Sequence, residues 1–121
     1  MRGLTVRSNF LVYQEGYTPE FVKDTIAQNN LDGLEIFDYS RPLESISFLS
    51  AYGFLVGLRV TCLLDQDYAF LRYLTNLKSL VICAAGKIRT TVDLSKQVEL
   101  ENLFIDWRKG KVAGLSNCRK L

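Results

Sequence analysis

The chain has 121 residues, enough for one domain with a single hydrophobic core. Its hydrophobic fraction of 48% is too high for a disordered chain, and its net charge of +2 is too small to favour nucleic acid or an anionic membrane as the main partner. No stretch of the sequence approaches the roughly 20 apolar residues of a membrane-spanning helix.

Residues 1–30 predict a small unit of strands and one helix. Apolar and polar residues alternate between positions 3 and 14, which favours one or two strands. The tripeptide Thr18-Pro19-Glu20 is typical of a helix start, because threonine caps the first turn and proline fits its opening position. We therefore predict a helix over about 19–29, and we expect the whole unit to cap the segment that follows.

A six-residue pattern then recurs four times. The pattern consists of leucine, two residues, leucine, one residue and an aliphatic residue. It begins at positions 31, 55, 77 and 100, with spacings of 24, 22 and 23 residues. A single match is expected by chance in a leucine-rich chain, whereas four matches at nearly constant spacing are not. The four copies are Leu31/Leu34/Ile36, Leu55/Leu58/Val60, Leu77/Leu80/Ile82 and Leu100/Leu103/Ile105.

A second column of apolar residues supports the same repeat. It stands fifteen or sixteen residues after each first leucine, at Ile46, Leu71, Val92 and Leu115. Leu121 follows Leu100 by 21 residues, and we interpret it as the first leucine of a fifth repeat that is cut off there. The sequence thus predicts about four repeats over residues 31–121.

These repeats resemble the leucine-rich-repeat family, whose consensus is L-x-x-L-x-L-x-x-N/C with about 20 to 29 residues per unit. The resemblance covers residues 30–121. It implies an α/β fold, a right-handed β-α superhelix or solenoid, with a parallel sheet on its concave face and the strand and helix unit as its N-terminal cap. The consensus position for asparagine or cysteine holds other residues in this chain, which predicts less regular turns after the strands. The residues at that position are Tyr39, Leu63, Ala85 and Arg108.

The residues between the strands predict short and mixed return segments. Residues 67–73 fit one or two helical turns, and residues 40–51 fit a helical turn after Pro42. The β-branched run within residues 86–93 favours an extended or irregular path. We expect some short helix, including 3₁₀ helix, without uniform helical backing.

Residues that alternate with the buried ones on each strand are predicted to face outward. The resemblance implies that this concave surface binds a protein partner. Aromatic residues and arginine are frequent interface anchors. Two structural alternatives stay open: Glu35 pairing with Arg59 across neighbouring strands, and Trp107 covering the open end of the core. The candidate contact residues are Glu35, Phe37, Arg59, Thr61, Val81, Phe104, Asp106, Trp107 and Arg108.

The sequence offers little for catalysis. It contains no histidine, the commonest general base and zinc ligand. Asp65 and Asp67 lack companions at metal-ligand spacing. An enzymatic hypothesis would rest on Cys62, Cys83 or Cys118 as a nucleophile, with no histidine to activate it. We expect no catalytic residue, no metal and no cofactor.

Location and partner class follow from the same features. Three cysteines without paired spacing, and the lack of an apolar run of signal-peptide length near Met1, predict a cytoplasmic protein. The basic residues between positions 108 and 120 are interpreted as a solvated face. We therefore expect a protein partner, with no nucleic acid and no membrane, while self-association through the exposed edge of the last strand stays open.

The leading hypothesis is a non-catalytic protein–protein interaction module that binds through the concave sheet face. One alternative is a structural N-terminal fragment of a longer repeat protein, with no separate activity. Another is a small immunity or effector-binding protein, which the size and predicted location permit but no particular residue supports.

Overall fold

Residues 3–121, the part of the chain that the computed structural model describes, form a mixed α/β structure with one mostly parallel sheet. Met1 and Arg2, which begin the predicted cap, lie outside the described residues. The strands and helix in chain order are β1 (Val6–Arg7), β2 (Phe10–Val12), α1 (Pro19–Gln28), β3 (Gly33–Phe37), β4 (Gly57–Cys62), β5 (Ser79–Ala84), β6 (Val92–Asp93), β7 (Asn102–Asp106) and β8 (Val112–Ala113).

The main sheet has the strand order β1-β2-β3-β4-β5-β7 within the described residues. β1 and β2 form an antiparallel hairpin, and every later neighbour pairs in parallel. The four segments that carry the leucine pattern are β3, β4, β5 and β7, so the predicted parallel sheet is confirmed. Matching positions stand opposite one another, as Leu34 does with Leu58 and Leu80 with Leu103. β6 and β8 form a separate parallel pair.

One face of this sheet is covered and holds the core. Leu34, Leu58 and Leu80 are buried on it, because alternate side chains of a strand share a face. The second apolar column lies on the return segments and packs against this same face of the sheet, and its members Ile46, Leu71 and Val92 are all buried. Its fourth member, Leu115, is instead 47% exposed.

Burial decreases at β7 for a simple geometric reason. This strand has β5 on one side and no further strand of the described residues on the other. Leu103 and Ile105 are therefore only partly buried, although they continue the rows of buried residues on β5. The sheet edge expected at the last pattern segment is present.

The N-terminal helix begins where the sequence predicts and ends one residue earlier than expected. The Thr18 hydroxyl accepts a hydrogen bond from the Phe21 N–H at 3.1 Å, and proline occupies the first position. At the other end the Asn29 side chain donates to the Thr25 carbonyl at 2.8 Å. This helix follows the hairpin and leads directly into β3.

The return segments are short, as the sequence suggests. Two 3₁₀ helices, Ser47–Ala51 and Ala69–Tyr73, occupy positions where a helical turn was expected. A third, Leu115–Asn117, follows β8. Residues 86–93 are irregular apart from the two-residue strand β6. None of the helices within residues 3–121 is long and apolar enough to cross a membrane.

A buried carboxylate fixes the turn after β3. Asp38 is 3% exposed, and its Oδ2 accepts a hydrogen bond from the Leu43 N–H at 3.1 Å. Its Oδ1 accepts a second bond, at 2.9 Å, from the N–H of Leu63, which follows the neighbouring strand. Asp38 thus ties two successive turns together. It stands one position before Tyr39, the residue that occupies the family's asparagine position.

Two buried glutamines make similar ties between return segments. Gln66 donates to the Leu43 carbonyl at 2.7 Å, and its side-chain oxygen accepts from the Ile46 N–H at 3.1 Å. Gln97 donates to the Leu74 carbonyl at 3.1 Å. Each glutamine satisfies backbone groups of the preceding segment, which a buried chain without regular hydrogen bonding requires.

Replacing Asp38 with alanine should lower the free energy of unfolding by about 2–4 kcal/mol, because two backbone N–H groups lose their acceptor in partly buried surroundings. Urea titration followed by circular dichroism measures this. Asp67→Ala is the matched control: Asp67 accepts from the Ala69 N–H at 2.9 Å in an exposed turn, and its loss should cost under about 1 kcal/mol. Equal losses in the two variants would contradict the tie.

Candidate functional site

The sheet face opposite the core brings most of the predicted contact residues together. We call this surface the open face. In-register pairing arranges its side chains in three rows across β3, β4, β5 and β7. The rows are Gly33, Gly57, Ser79 and Asn102; Glu35, Arg59, Val81 and Phe104; and Phe37, Thr61, Cys83 and Asp106.

Two glycines make room for an aromatic ring at one end of the open face. Phe10 on β2 stands opposite Gly33, and Gly33 stands opposite Gly57. A Cβ built on Gly57 would lie 2.7 Å from Phe10 Cζ, so the ring occupies the space that a larger residue would need. A Cβ on Gly33 would collide with the Gly57 carbonyl. The ring of Phe10 is buried as a result.

Arg59 lies over this ring. The distance from the Arg59 guanidinium carbon to the Phe10 ring centroid is 4.1 Å, within the range of a cation–π contact. None of the ion pairs between residues 3 and 121 involves Arg59. The stacked ring therefore orients the guanidinium, and none of the carboxylates described in the structure forms an ion pair with it.

Glu35 differs from expectation, because it is buried and does not pair with Arg59. It is 7% exposed, although its position alternates with core residues. Arg7 on β1 lies 3.9 Å away, between Nη1 and Oε2, and the other carboxylate oxygen of Glu35 has no hydrogen-bond partner among residues 3–121. Arg7 also lies 5.6 Å from the Phe37 ring centroid. The added hairpin strand, which the repeat pattern does not include, accounts for this arrangement.

Exposed aromatic rings lie toward both ends of the open face. Phe37 on β3 is 43% exposed and Phe104 on β7 is 57% exposed. Two predicted contact residues between these rings, Thr61 and Val81, are half-buried. Asp106, the last residue of β7, is exposed. The face thus offers apolar rings and polar groups together, on strands whose backbone is fixed by pairing.

An apolar rim continues from the open face past the strand ends. The rings of Phe37 and Tyr39 lie 4.5 Å apart between centroids. Leu63 and Leu64, which follow β4, are also exposed. Sequence reasoning considered Tyr39 and Leu63 only as substitutes for a turn asparagine, so it missed this extension.

The structure places Trp107 and Arg108 away from the rows of the open face. Trp107 packs partly buried against the core, and its ring leaves no room for a Cβ on Gly110. This contact favours the covering role for Trp107 that the sequence left open. Arg108 is exposed, and its backbone N–H donates to the Gly86 carbonyl at 3.1 Å.

Sequence reasoning missed two residues that shape the open face, Arg7 and Phe10. Both fall in the stretch predicted as strand, yet no signal in it shows that β2 joins the sheet beside β3. The pairing of Phe10 with Gly33 is a contact between residues far apart in sequence. The lack of side chains at Gly33 and Gly57 is the one sequence signal that a large group, here the Phe10 ring, packs at this position.

The three thiols differ in their surroundings. Cys62 is buried, and burial, together with the nearby Asp38 carboxylate, raises the pKa of its thiol to about 12. Burial also raises the pKa of Cys118. Both are neutral thiols near pH 7 and hence weak nucleophiles. Cys83 is half-buried on the open face.

Comparisons of this chain with protein-family models, with curated proteins and with solved structures find no match. The candidate site is therefore defined by its own geometry. Its parts are the stacked pair Phe10 and Arg59, the buried Glu35 with the exposed Arg7 beside it, and the exposed ring of Phe37.

Replacing Gly33 with alanine should lower the free energy of unfolding by about 1–3 kcal/mol, because the added methyl group forces β3 and β4 apart. Gly86→Ala is the control, since a Cβ there meets nothing within 4 Å. Thermal and urea unfolding of the two variants measure the difference. A Gly33→Ala protein as stable as the control would show that the close approach is absent.

Alkylation of the folded protein with iodoacetamide at pH 8 should modify Cys83 first and leave Cys62 and Cys118 unmodified. A raised pKa means that the thiolate fraction of Cys62 at pH 8 is far below that of a free thiol, and burial blocks the reagent as well. Peptide mass spectrometry after timed quenching measures each site, and unfolding in urea should expose all three. Cys62 reacting as fast as Cys83 in the folded state would contradict this arrangement.

Proposed function

We propose that this chain is a non-catalytic protein–protein interaction module that binds its partner through the open face. The carrying observation is the pair of exposed rings, Phe37 and Phe104, on a sheet face that also holds the ring-oriented Arg59. Aromatic residues and arginine dominate the energetics of protein interfaces when they are held in place. Because strands fix the backbone, little entropy is lost when such a surface is covered.

We further propose that the strand and return segments form a leucine-rich-repeat solenoid. The support is the spacing of 24, 22 and 23 residues, which sets equivalent leucines opposite one another on neighbouring strands. Buried polar ties such as Gln66 link each return segment to the one before it. In such a fold each unit buries its apolar face against its neighbours, since one unit alone cannot cover it.

Two of the three candidate thiol nucleophiles favour binding over catalysis, and the third, Cys83, has no histidine to activate it. Cys62 and Cys118 are neutral at physiological pH, so neither supports a nucleophilic mechanism. The same free and mostly buried thiols fit a reducing compartment, and we place the protein in the cytoplasm.

Self-association through the edge strand is a second candidate. β7 pairs with β5 on one side only among the described strands, and its Leu103 and Ile105 remain partly buried. A second chain paired there would cover both. Backbone hydrogen bonds of β7 would carry this contact, so it should persist when the rings of Phe37 and Phe104 are removed, which separates the two candidates experimentally.

The protein, tagged and crosslinked in an extract of the source cells, is affinity-purified, and the captured partner is quantified by mass spectrometry. The double variant Phe37→Ala/Phe104→Ala should capture at least about tenfold less partner, because two exposed anchor rings are lost. The fold should persist, since neither ring belongs to the buried core.

The matched control is Tyr73→Ala/Val98→Ala, which removes two exposed apolar side chains outside the open face. It should capture as much partner as the unmodified protein. Undiminished capture by the Phe37/Phe104 variant would overturn the assignment to the open face, and capture of a second copy alone, independent of these rings, would favour the edge strand.

A further inference from the structure

The part of the open face formed by β1 to β4 carries a guanidinium without an ion-pair partner. Arg7 and Arg59 lie there with one carboxylate, that of Glu35, whereas the other carboxylate of the face, Asp106, stands on β7, two strands away from Arg59. Arg7 lies 3.9 Å from Glu35, whereas no acidic group of residues 3–121 forms an ion pair with Arg59. One guanidinium is therefore available to an anion from outside.

The charge is also held in a fixed position. Phe10 is buried beneath Arg59, and its ring packs against Gly57, where a side chain would collide with it. A guanidinium that stacks through its flat face keeps its N–H groups at the edge of the plane. Those groups match the two oxygens of a carboxylate, and a stacked side chain loses little freedom when it binds.

Glu35 limits the charge of the anion that fits. Its carboxylate is buried on the strand next to Arg59, and the two residues stand directly opposite each other. It offsets one of the two arginines, so the site carries a single net positive charge. A singly charged carboxylate suits this balance better than a phosphate group of about two negative charges.

The neighbours of Arg59 define what should flank that carboxylate. Val81 stands opposite Arg59 on β5, and Phe104 stands opposite Val81 on β7. On the other side Glu35 stands opposite Arg59, and the exposed ring of Phe37 lies two residues farther along β3. An acidic residue seated at Arg59 would thus have apolar surface directly toward Val81 and Phe104, and past Glu35 at Phe37.

We propose that the open face recognises an aspartate or glutamate side chain of a protein partner, flanked by apolar residues, with Arg59 as the anchor. The inference rests on the proposed interaction function and names the chemistry of the partner. The carboxylate accepts hydrogen bonds from the edge of the Arg59 guanidinium, while the flanking side chains cover Val81, Phe104 and Phe37.

Two blocked peptides that differ in one group test this directly: acetyl-Phe-Glu-Leu-amide and acetyl-Phe-Gln-Leu-amide. Titration of ¹⁵N-labelled protein, followed by NMR at the backbone amides of the open face and at the Arg59 side-chain N–H, gives both affinity and location. The glutamate peptide should bind at least about fivefold more tightly, because its hydrogen bonds join two charged groups. This advantage should shrink as salt is added.

Matched arginine variants identify the anchor. Arg59→Gln should reduce the affinity for the glutamate peptide to that for the glutamine peptide. Arg72→Gln should leave it unchanged, because Arg72 stacks on Tyr73, 5.0 Å from its ring centroid, outside the open face. The same spectra show whether each variant is folded.

The failures are distinguishable. Equal affinities for the two peptides at the open face, or a glutamate preference that survives Arg59→Gln, would overturn carboxylate recognition and leave the interaction function standing. The absence of shifts with both peptides would also overturn it. The interaction function itself depends on the capture experiment with Phe37 and Phe104.

Discussion

The burial of one row of aliphatic side chains against the next governs this structure. Leu34, Leu58 and Leu80 stand opposite one another on adjacent parallel strands and are withdrawn from water. A slip of one residue in any strand would turn its buried side chains to the solvent, so the register is fixed by the hydrophobic effect. The residues of the opposite face are then fixed in rows as well, although nothing buries most of them.

Packing strands in this way leaves backbone N–H and C=O groups at the strand ends in need of hydrogen-bond partners. The chain must leave the sheet, turn and return while part of its backbone is buried, and buried N–H and C=O groups need partners. Asp38 and Gln66 meet this need with side-chain bonds that reach from one turn or return segment to the next. The short 3₁₀ helices supply other backbone bonds, as between the Tyr52 N–H and the Leu49 carbonyl.

The chemistry of the open face arises where the N-terminal hairpin meets the parallel strands. Phe10 orients Arg59, while Arg7 from β1 reaches Glu35 and the ring of Phe37. The hairpin therefore supplies side chains of the open face and not only a cover for the first parallel strand. Farther along the sheet, at β7, the face becomes more exposed, with Phe104 between the polar residues Asn102 and Asp106.

The sequence alone determined the elements whose cause is local. Spacing and alternation located β3, β4, β5 and β7 and their buried rows, and the Thr18-Pro19 pair located the helix start, because neighbouring residues produce those signals. Only the tertiary structure decided the burial of Glu35 and the position of Arg59 over Phe10. Both depend on contacts between residues more than twenty positions apart, which no periodicity within a strand encodes.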